Sequence, residues 1–144
     1  MVKIEELASL NKRTLSFIID DIVVSFLFLA ILYDKIKVLS SVESFALFIN
    51  HYGWLAIILK ILYHGFFIGY NGMTPGKYIV KIKLVSKDSG KKLSYPMAFA
   101  RAIARIGSEF IFYMGFLLAF FTPYRQTFHD LVTNSVVVDV KDKL

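Results

Sequence analysis

Five ionisable residues stand where apolar sequence surrounds them. They are Asp20 and Asp21 in the first apolar run, Lys60 and His64 in the second, and Glu109 in the third. At the centre of a bilayer an Asp or Lys costs roughly 2.5–3.5 kcal/mol on insertion scales, so such groups face the inside of a helix bundle or water. Carboxylates beside His and Lys are the parts from which proton relays and cation sites are built. The same groups also serve as ion pairs that hold helices in register. Asp20 and Asp21 are adjacent, so on one helix they point about 100° apart and do not meet the same partner.

Arg13, Arg101, Arg105, His129 and Asp130 complete the set as ion-pair candidates. Arg13 precedes Asp20 by seven residues, nearly two helical turns, which puts both on one face and predicts an Arg13–Asp20 pair. Asp21 then falls to Lys60 and His64, which share a face at the i, i+4 spacing. Counted from the basic ends of their runs, Asp20 and His64 lie about 10 Å and about 9 Å from the same edge. Lys60 is one turn deeper, and Glu109 is one turn beyond Arg105.

The elements that must position these residues follow from composition and patterning. The chain has 144 residues, is 56% hydrophobic, and has a mean hydropathy of +0.58. Its 14 Phe and 8 Tyr are more aromatic surface than so small a soluble fold can hide. Apolar runs at residues 15–33, 52–70 and 106–122 have the length or near-length of membrane spans. A charged stretch, residues 1–13, precedes the first, and that run has no small-residue cleavage site after it, so it reads as a retained span. Residues 42–51 are expected at the far interface, with a bend at Gly53 and Trp54 as an interfacial aromatic. The expectation is an all-α membrane bundle in one domain, residues 1–144. It has two full transmembrane helices, a third span or a re-entrant hairpin bent near Gly115, and a small cytoplasmic β-hairpin element.

That element lies in the basic segment, residues 71–95. Gly72-Met73-Thr74-Pro75-Gly76-Lys77 reads as a type II turn with positive φ at Gly76. Residues 80–84 alternate and read as a strand, and Asp88-Ser89-Gly90 as a hairpin tip. Ser94 and Pro96 open the next helix. Residues 136–140 read as an edge strand that needs a partner, the natural one being residues 80–84. That pairing favours a re-entrant third run, whereas a plain span is the commoner arrangement. Eight basic residues against Asp88 across residues 71–105 place this segment and the N-terminus in the cytoplasm by the positive-inside rule.

Several chemistries are excluded or poorly supported. There is no cysteine, hence no disulfide or thiolate site. Three scattered histidines make no metal site. The Gly72 to Lys77 stretch is one residue short of a phosphate loop and has Tyr78 where Ser or Thr would hold magnesium. His129-Asp130 has no nucleophile in a recognisable motif, so neither an enzyme nor a cofactor is expected. The net charge of +6 does not imply nucleic acid, because basic residues in this position enforce topology and attract anionic lipids. Gly65 and Gly69 form a GxxxG pattern for close helix packing, within the protomer or between copies.

The order of motifs resembles the RDD family of bacterial membrane proteins. Arg13 with Asp20-Asp21 comes first, followed by Gly72-Met73-Thr74-Pro75-Gly76-Lys77. Arg101 and Arg105 come next, then Arg125-Gln126-Thr127-Phe128-His129-Asp130 and a valine-rich end. The resemblance covers residues 11–140. It implies a bacterial inner-membrane protein with cytoplasmic termini, and cation transport is the commonest suggestion for the family. Two functions therefore compete: a self-associating Na⁺- or H⁺-coupled transporter, and a non-catalytic assembly or accessory protein whose buried charges are structural.

Overall fold

The computed structural model describes residues 1–111 and 113–140, apart from the Glu5 side chain. Residues 141–144, the end of the expected domain, and Phe112, inside the third run, lie outside the described residues.

Two long apolar helices form the frame. Helix α1 is Leu10–Ile31, opened by Ser9, whose hydroxyl accepts from the Lys12 amide. A short turn, α2 (Tyr33–Ile36), leads to α3, Val42–Asn71. Ser41 and Ser44 cap α3 reciprocally, each side chain satisfying the other's backbone amide. Gly72, at φ 79°, ends it in the left-handed conformation that glycine adopts without a Cβ penalty. By length and composition both helices can cross a membrane. Their outer faces remain apolar and exposed, with Ile22, Phe26, Leu47 and Trp54 more than half uncovered. The expected bend at Gly53 is absent, and residues 42–51 continue α3 without a break. One interior glycine costs a helix only about 1 kcal/mol, which the surrounding helix formers outweigh.

Helix α5, Tyr95–Phe110, is inverted relative to a helix of a water-soluble protein. Its covered face carries Arg101 and Arg105 with Ala98, Ala102 and Ser108, while Met97, Ile103 and Phe110 face outward. It packs on α3 where Gly65 and Gly69 leave room for the rings of Phe99 and Tyr95. The GxxxG face is thus filled inside the protomer, which removes it as a contact between copies.

The segment after Gly72 departs from the expected turn. Pro75–Ile79 is a helical turn, α4, with Thr74 as N-cap and Pro75 in the first helical position, where its missing amide hydrogen costs nothing. Strand β1 is Ile82–Ser86, two residues later than expected. The turn at Asp88 to Gly90 closes through Gly90 N–H to Ser86 O at 2.9 Å, but no strand returns from it. The partner of β1 is β2, Ser135–Asp139, antiparallel, with Leu84 opposite Val137. Val138 also bridges Leu7. The sheet is therefore a joint between chain segments rather than a local hairpin. Both its faces are covered: Ile82, Leu84 and Val137 pack with Ile68 and Ala98, and Val85 and Val136 pack with Val2 and Leu7. Fully burying Ile82 or Leu84 contributes about 1.5–3 kcal/mol each.

The third apolar run is bent. After α5 the chain turns through 108° into α6, Met114–Leu117, and a single 3₁₀ turn, Leu118–Phe120. The break lies before α6 rather than at Gly115, and Tyr113 sits at φ 60°. Gly115 instead packs tightly on Ser108, folding α6 back on α5. Helix α7, Phe128–Val132, then leads into β2 beside β1. The segments before and after the run thus meet in the β1–β2 pair.

Candidate functional site

Three groups of polar contacts occupy the covered space between α1, α3, α4, α5 and α7. The first surrounds Asp20, which is fully buried. Its Oδ1 accepts from the Tyr63 hydroxyl at 2.8 Å and the Gly76 amide at 2.8 Å, and its Oδ2 accepts from the Thr74 hydroxyl at 2.6 Å. All three donors are neutral. A Cβ on Gly76 would lie 2.8 Å from the Asp20 carboxylate carbon and closer still to the Ser16 carbonyl. Glycine is what lets α4 dock on α1, with its amide reaching the carboxylate. The expected Arg13–Asp20 pair does not form.

Arg13 belongs to the second group. Its guanidinium bonds Asp130 Oδ2 at 2.5 Å and the Arg125 carbonyl. Arg101 takes the other oxygen of Asp130, through Nε at 3.2 Å and Nη2 at 2.7 Å. The carboxylate also accepts from the Thr127 amide at 3.1 Å. Asp130 is fully buried; burial raises its pKa, but Arg13 and Arg101 outweigh that and hold the carboxyl well below its usual range. His129 is not an ion-pair member. Its Nε2 faces the Thr127 hydroxyl at 2.9 Å, its Nδ1 has no partner, and its ring lies edge-on to Phe116. Burial, then Arg101, pushes its pKa well below the usual histidine value, so the ring is neutral.

The third group lies deeper between α3 and α5. Lys60 pairs with Glu109 at 2.7 Å and with Asp21 at 3.0 Å. Glu109 also receives the Arg105 Nε at 3.4 Å. His64, expected beside Asp21, instead meets Arg105 Nη1 at 3.4 Å. The Asp21 side chain keeps 38% of its surface exposed.

Residues that sequence reasoning did not single out complete the arrangement. Tyr63, Thr74 and Gly76 hold Asp20, and Phe17 lies 4.7 Å from the Arg105 guanidinium. Lys77 is 6% exposed, and neither an ion pair nor a hydrogen bond engages its ammonium among the described residues. Burial, then Arg101, lowers its pKa to about 7, against a partial opposing effect of Asp20. Its position next to Pro75 and Gly76, in a motif read as a turn, was the available signal. Among the described residues no three His, Cys, Asp or Glu side chains gather as a metal site.

Against known proteins, the model of the RDD family matches residues 7–134. The proline-rich antigen homolog of Mycobacterium tuberculosis (strain ATCC 25618 / H37Rv) is 29% identical over 91 residues, 60% of this chain and 38% of that protein. The proline-rich antigen of Mycobacterium leprae (strain TN) is 26% identical over 91 residues, 60% of this chain and 36% of that protein. The chain thus aligns with less than two fifths of the length of these relatives. No solved structure matches. Arg13, Asp20 and Asp21, the Thr74-Pro75-Gly76 cap and the Arg101–Asp130 pair all fall inside the matched stretch, and over it the chain belongs to the RDD family.

Proposed function

We propose that this chain is a non-catalytic membrane assembly or accessory protein of a bacterial inner membrane. In this reading its buried carboxylates are structural contacts that fasten the bent α5–α6–α7 unit to α1 and α3. One observation carries it: cations outnumber carboxylates. Arg13, Lys60, Lys77, Arg101 and Arg105 stand against Asp20, Asp21, Glu109 and Asp130, and every one of those carboxylates already has donors. A cation path needs carboxylate left over. The segment between α4 and α5 then faces the cytoplasm. With Lys77, Arg101 and Arg105 buried, its exposed or half-exposed basic residues are Lys81, Lys83, Lys87, Lys91 and Lys92. The sign still obeys the positive-inside rule, and these lysines meet anionic lipid.

Cation transport coupled to Na⁺ or H⁺ is the second reading. The observation that favours it is the part-exposed Asp21, which lines a surface groove with Ile18, Ser25 and Leu29. That reading requires several copies to enclose a path, whereas the accessory reading does not. Proteoliposomes containing the purified protein separate the two. The expected result is no Na⁺- or H⁺-flux above empty vesicles and no change in melting temperature with Na⁺ across pH 5–8. Flux, or Na⁺-dependent stabilisation abolished by Asp21→Asn, would overturn the accessory reading, because an ion bound only by the folded state must raise its melting temperature.

A further inference from the structure

A cavity of about 250 Å³ opens beneath the bent segment, and its lining combines cations with apolar rings. Arg13, Lys77, Arg101 and Arg105 line it together with Phe17, Phe116, Leu117 and Phe120, and with His129 and Thr127. The acidic groups of this region are already occupied. Asp130 serves Arg13 and Arg101, Glu109 serves Arg105 and Lys60, and Asp20 is taken by Tyr63, Thr74 and Gly76. Two buried polar groups of the lining have no partner among the described residues. One is the Lys77 ammonium; the other is His129 Nδ1, on a side chain 2% exposed. A buried charge or polar atom without a partner carries an uncompensated desolvation penalty. Both deficits are of one kind, the absence of an acceptor. With its Nε2 turned to Thr127, the neutral His129 ring is able to carry its proton on Nδ1 and donate it.

We propose that this cavity seats the oxyanion of an anionic amphiphile, a phosphate headgroup held by Lys77, Arg105 and His129, with its hydrocarbon chain leaving past Phe120. The guanidinium of Arg105 lies against the contacting rings of Phe17 and Phe116, at 4.7 and 6.0 Å from their centroids, and this favours its orientation. Arg and Lys together supply charge-assisted bonds to a phosphate, and basic pockets between membrane helices are where lipid headgroups settle. The volume argues for a headgroup rather than a whole lipid, since sites that enclose a complete drug-sized ligand run about 300–1,000 Å³. The tail has an exit. Tyr113, Leu117 and Phe120 are 46%, 48% and 68% exposed, an apolar rim continuous in character with the outward faces of α1 and α3. A free phosphate would use the same cations but leave that rim without a role.

The test uses the full chain in phosphatidylcholine nanodiscs with lysophosphatidic acid titrated in, against inorganic phosphate and neutral lysophosphatidylcholine. The expected result is a saturable rise in melting temperature with lysophosphatidic acid only, and one retained adduct per chain by native mass spectrometry. Lys77→Met removes the unpaired cation; it is expected to fold at least as well as wild type without the amphiphile and to lose the response tenfold or more. Phe120→Ala, at an exposed position, is expected to fold normally and to weaken the amphiphile several-fold. The double variant Lys83→Ser/Lys91→Ser, which changes only the basic surface, is expected to keep the response. Equal stabilisation by inorganic phosphate would overturn the amphiphile. Loss of the response in the surface variant with retention in Lys77→Met would overturn the cavity. No response in wild type would overturn both.

Discussion

Asp20→Asn tests the reading that neutral donors, rather than an ion pair, hold the first aspartate. In the folded chain the carboxylate receives three hydrogen bonds, two on Oδ1 and one on Oδ2. Asparagine keeps one oxygen, best placed for Tyr63 and Gly76, and turns its amide toward the Thr74 hydroxyl. That hydroxyl already accepts from the Lys77 amide at 3.3 Å, and it loses the acceptor for its own proton. Bonds to a charged group contribute about 1.5–3 kcal/mol against about 0.5–1.5 for neutral ones. Charge assistance lost on two bonds alone predicts about 2–3 kcal/mol, a lower bound because the third bond is lost outright. Asp20→Ala removes all three acceptors and leaves the buried Tyr63 hydroxyl and Gly76 amide unsatisfied, at about 1–3 kcal/mol each. It should cost clearly more than the asparagine variant, about 4–6 kcal/mol. Equilibrium unfolding in a fixed detergent, followed by tryptophan emission and by protease resistance, measures both. Had Asp20 been the counter-ion of Arg13, Arg13→Met should rescue part of the Asp20→Asn loss. On the present geometry the two losses add. An asparagine variant within 0.5 kcal/mol of wild type, or rescue by Arg13→Met, would refute the reasoning.

Gly76→Ala forces a methyl group against the Ser16 carbonyl and the Asp20 carboxylate, neither of which can retreat, and is expected to cost about 3 kcal/mol, the top of the usual range for overpacking; an alanine variant of wild-type stability in the same unfolding assay would contradict the docking of α4 on α1. Stability should climb with pH over an unusually wide range. Lys77 has a folded pKa of about 7, below its unfolded value of about 10.4. The unfolded chain therefore binds more protons between those values, and the contribution is complete above the unfolded pKa and lost as pH falls to about 7. His129, also depressed, loses its contribution as pH falls below its unfolded value of about 6.5. Lys77→Met should flatten the profile above pH 7 and leave the acid side unchanged, and an unaltered profile would show that Lys77 does not titrate there. Cysteines placed at Lys3, Ser89 and Asp139 should react alike with an impermeant thiol reagent in intact cells, because the sheet holds these regions together; labelling at Asp139 alone would contradict the β1–β2 pairing.

The two long helices were readable because apolar length is a one-dimensional property. The start of α5 at Ser94 and Pro96 was legible for the same reason, since it is set by neighbours within a few residues. The β1–β2 partnership followed from a strand that needed an edge. What could not be read was which side chain meets which across helices. The seven-residue spacing does put Arg13 and Asp20 on one face of α1, but it says nothing of what α4 and α7 bring to that face. Gly76 delivers an amide to Asp20, and Asp130 arrives between Arg13 and Arg101, so the aspartate and the arginine part company. The turn at Pro75 failed for a different reason: Thr-Pro-Gly satisfies both a type II turn and an N-cap followed by a first-turn proline, and the docking on Asp20 decides between them. Lys77 was passed over because a lysine beside a turn reads as solvated.

The separation of Arg13 from Asp130 sets a timetable for biogenesis. The two lie 117 residues apart. At about 5–20 residues per second a ribosome needs roughly 6–23 s to deliver the aspartate after the arginine. By the end of that interval α1 and α3 are complete, β1 exposes an unpaired edge, and Arg13, joined by Arg101, still waits for Asp130. The nascent chain is thus a cationic, open-edged intermediate whose closing parts, Asp130 and β2, arrive together within a single stretch of ten residues, positions 130–139. Assembly of the bent unit is consequently a late, all-at-once event.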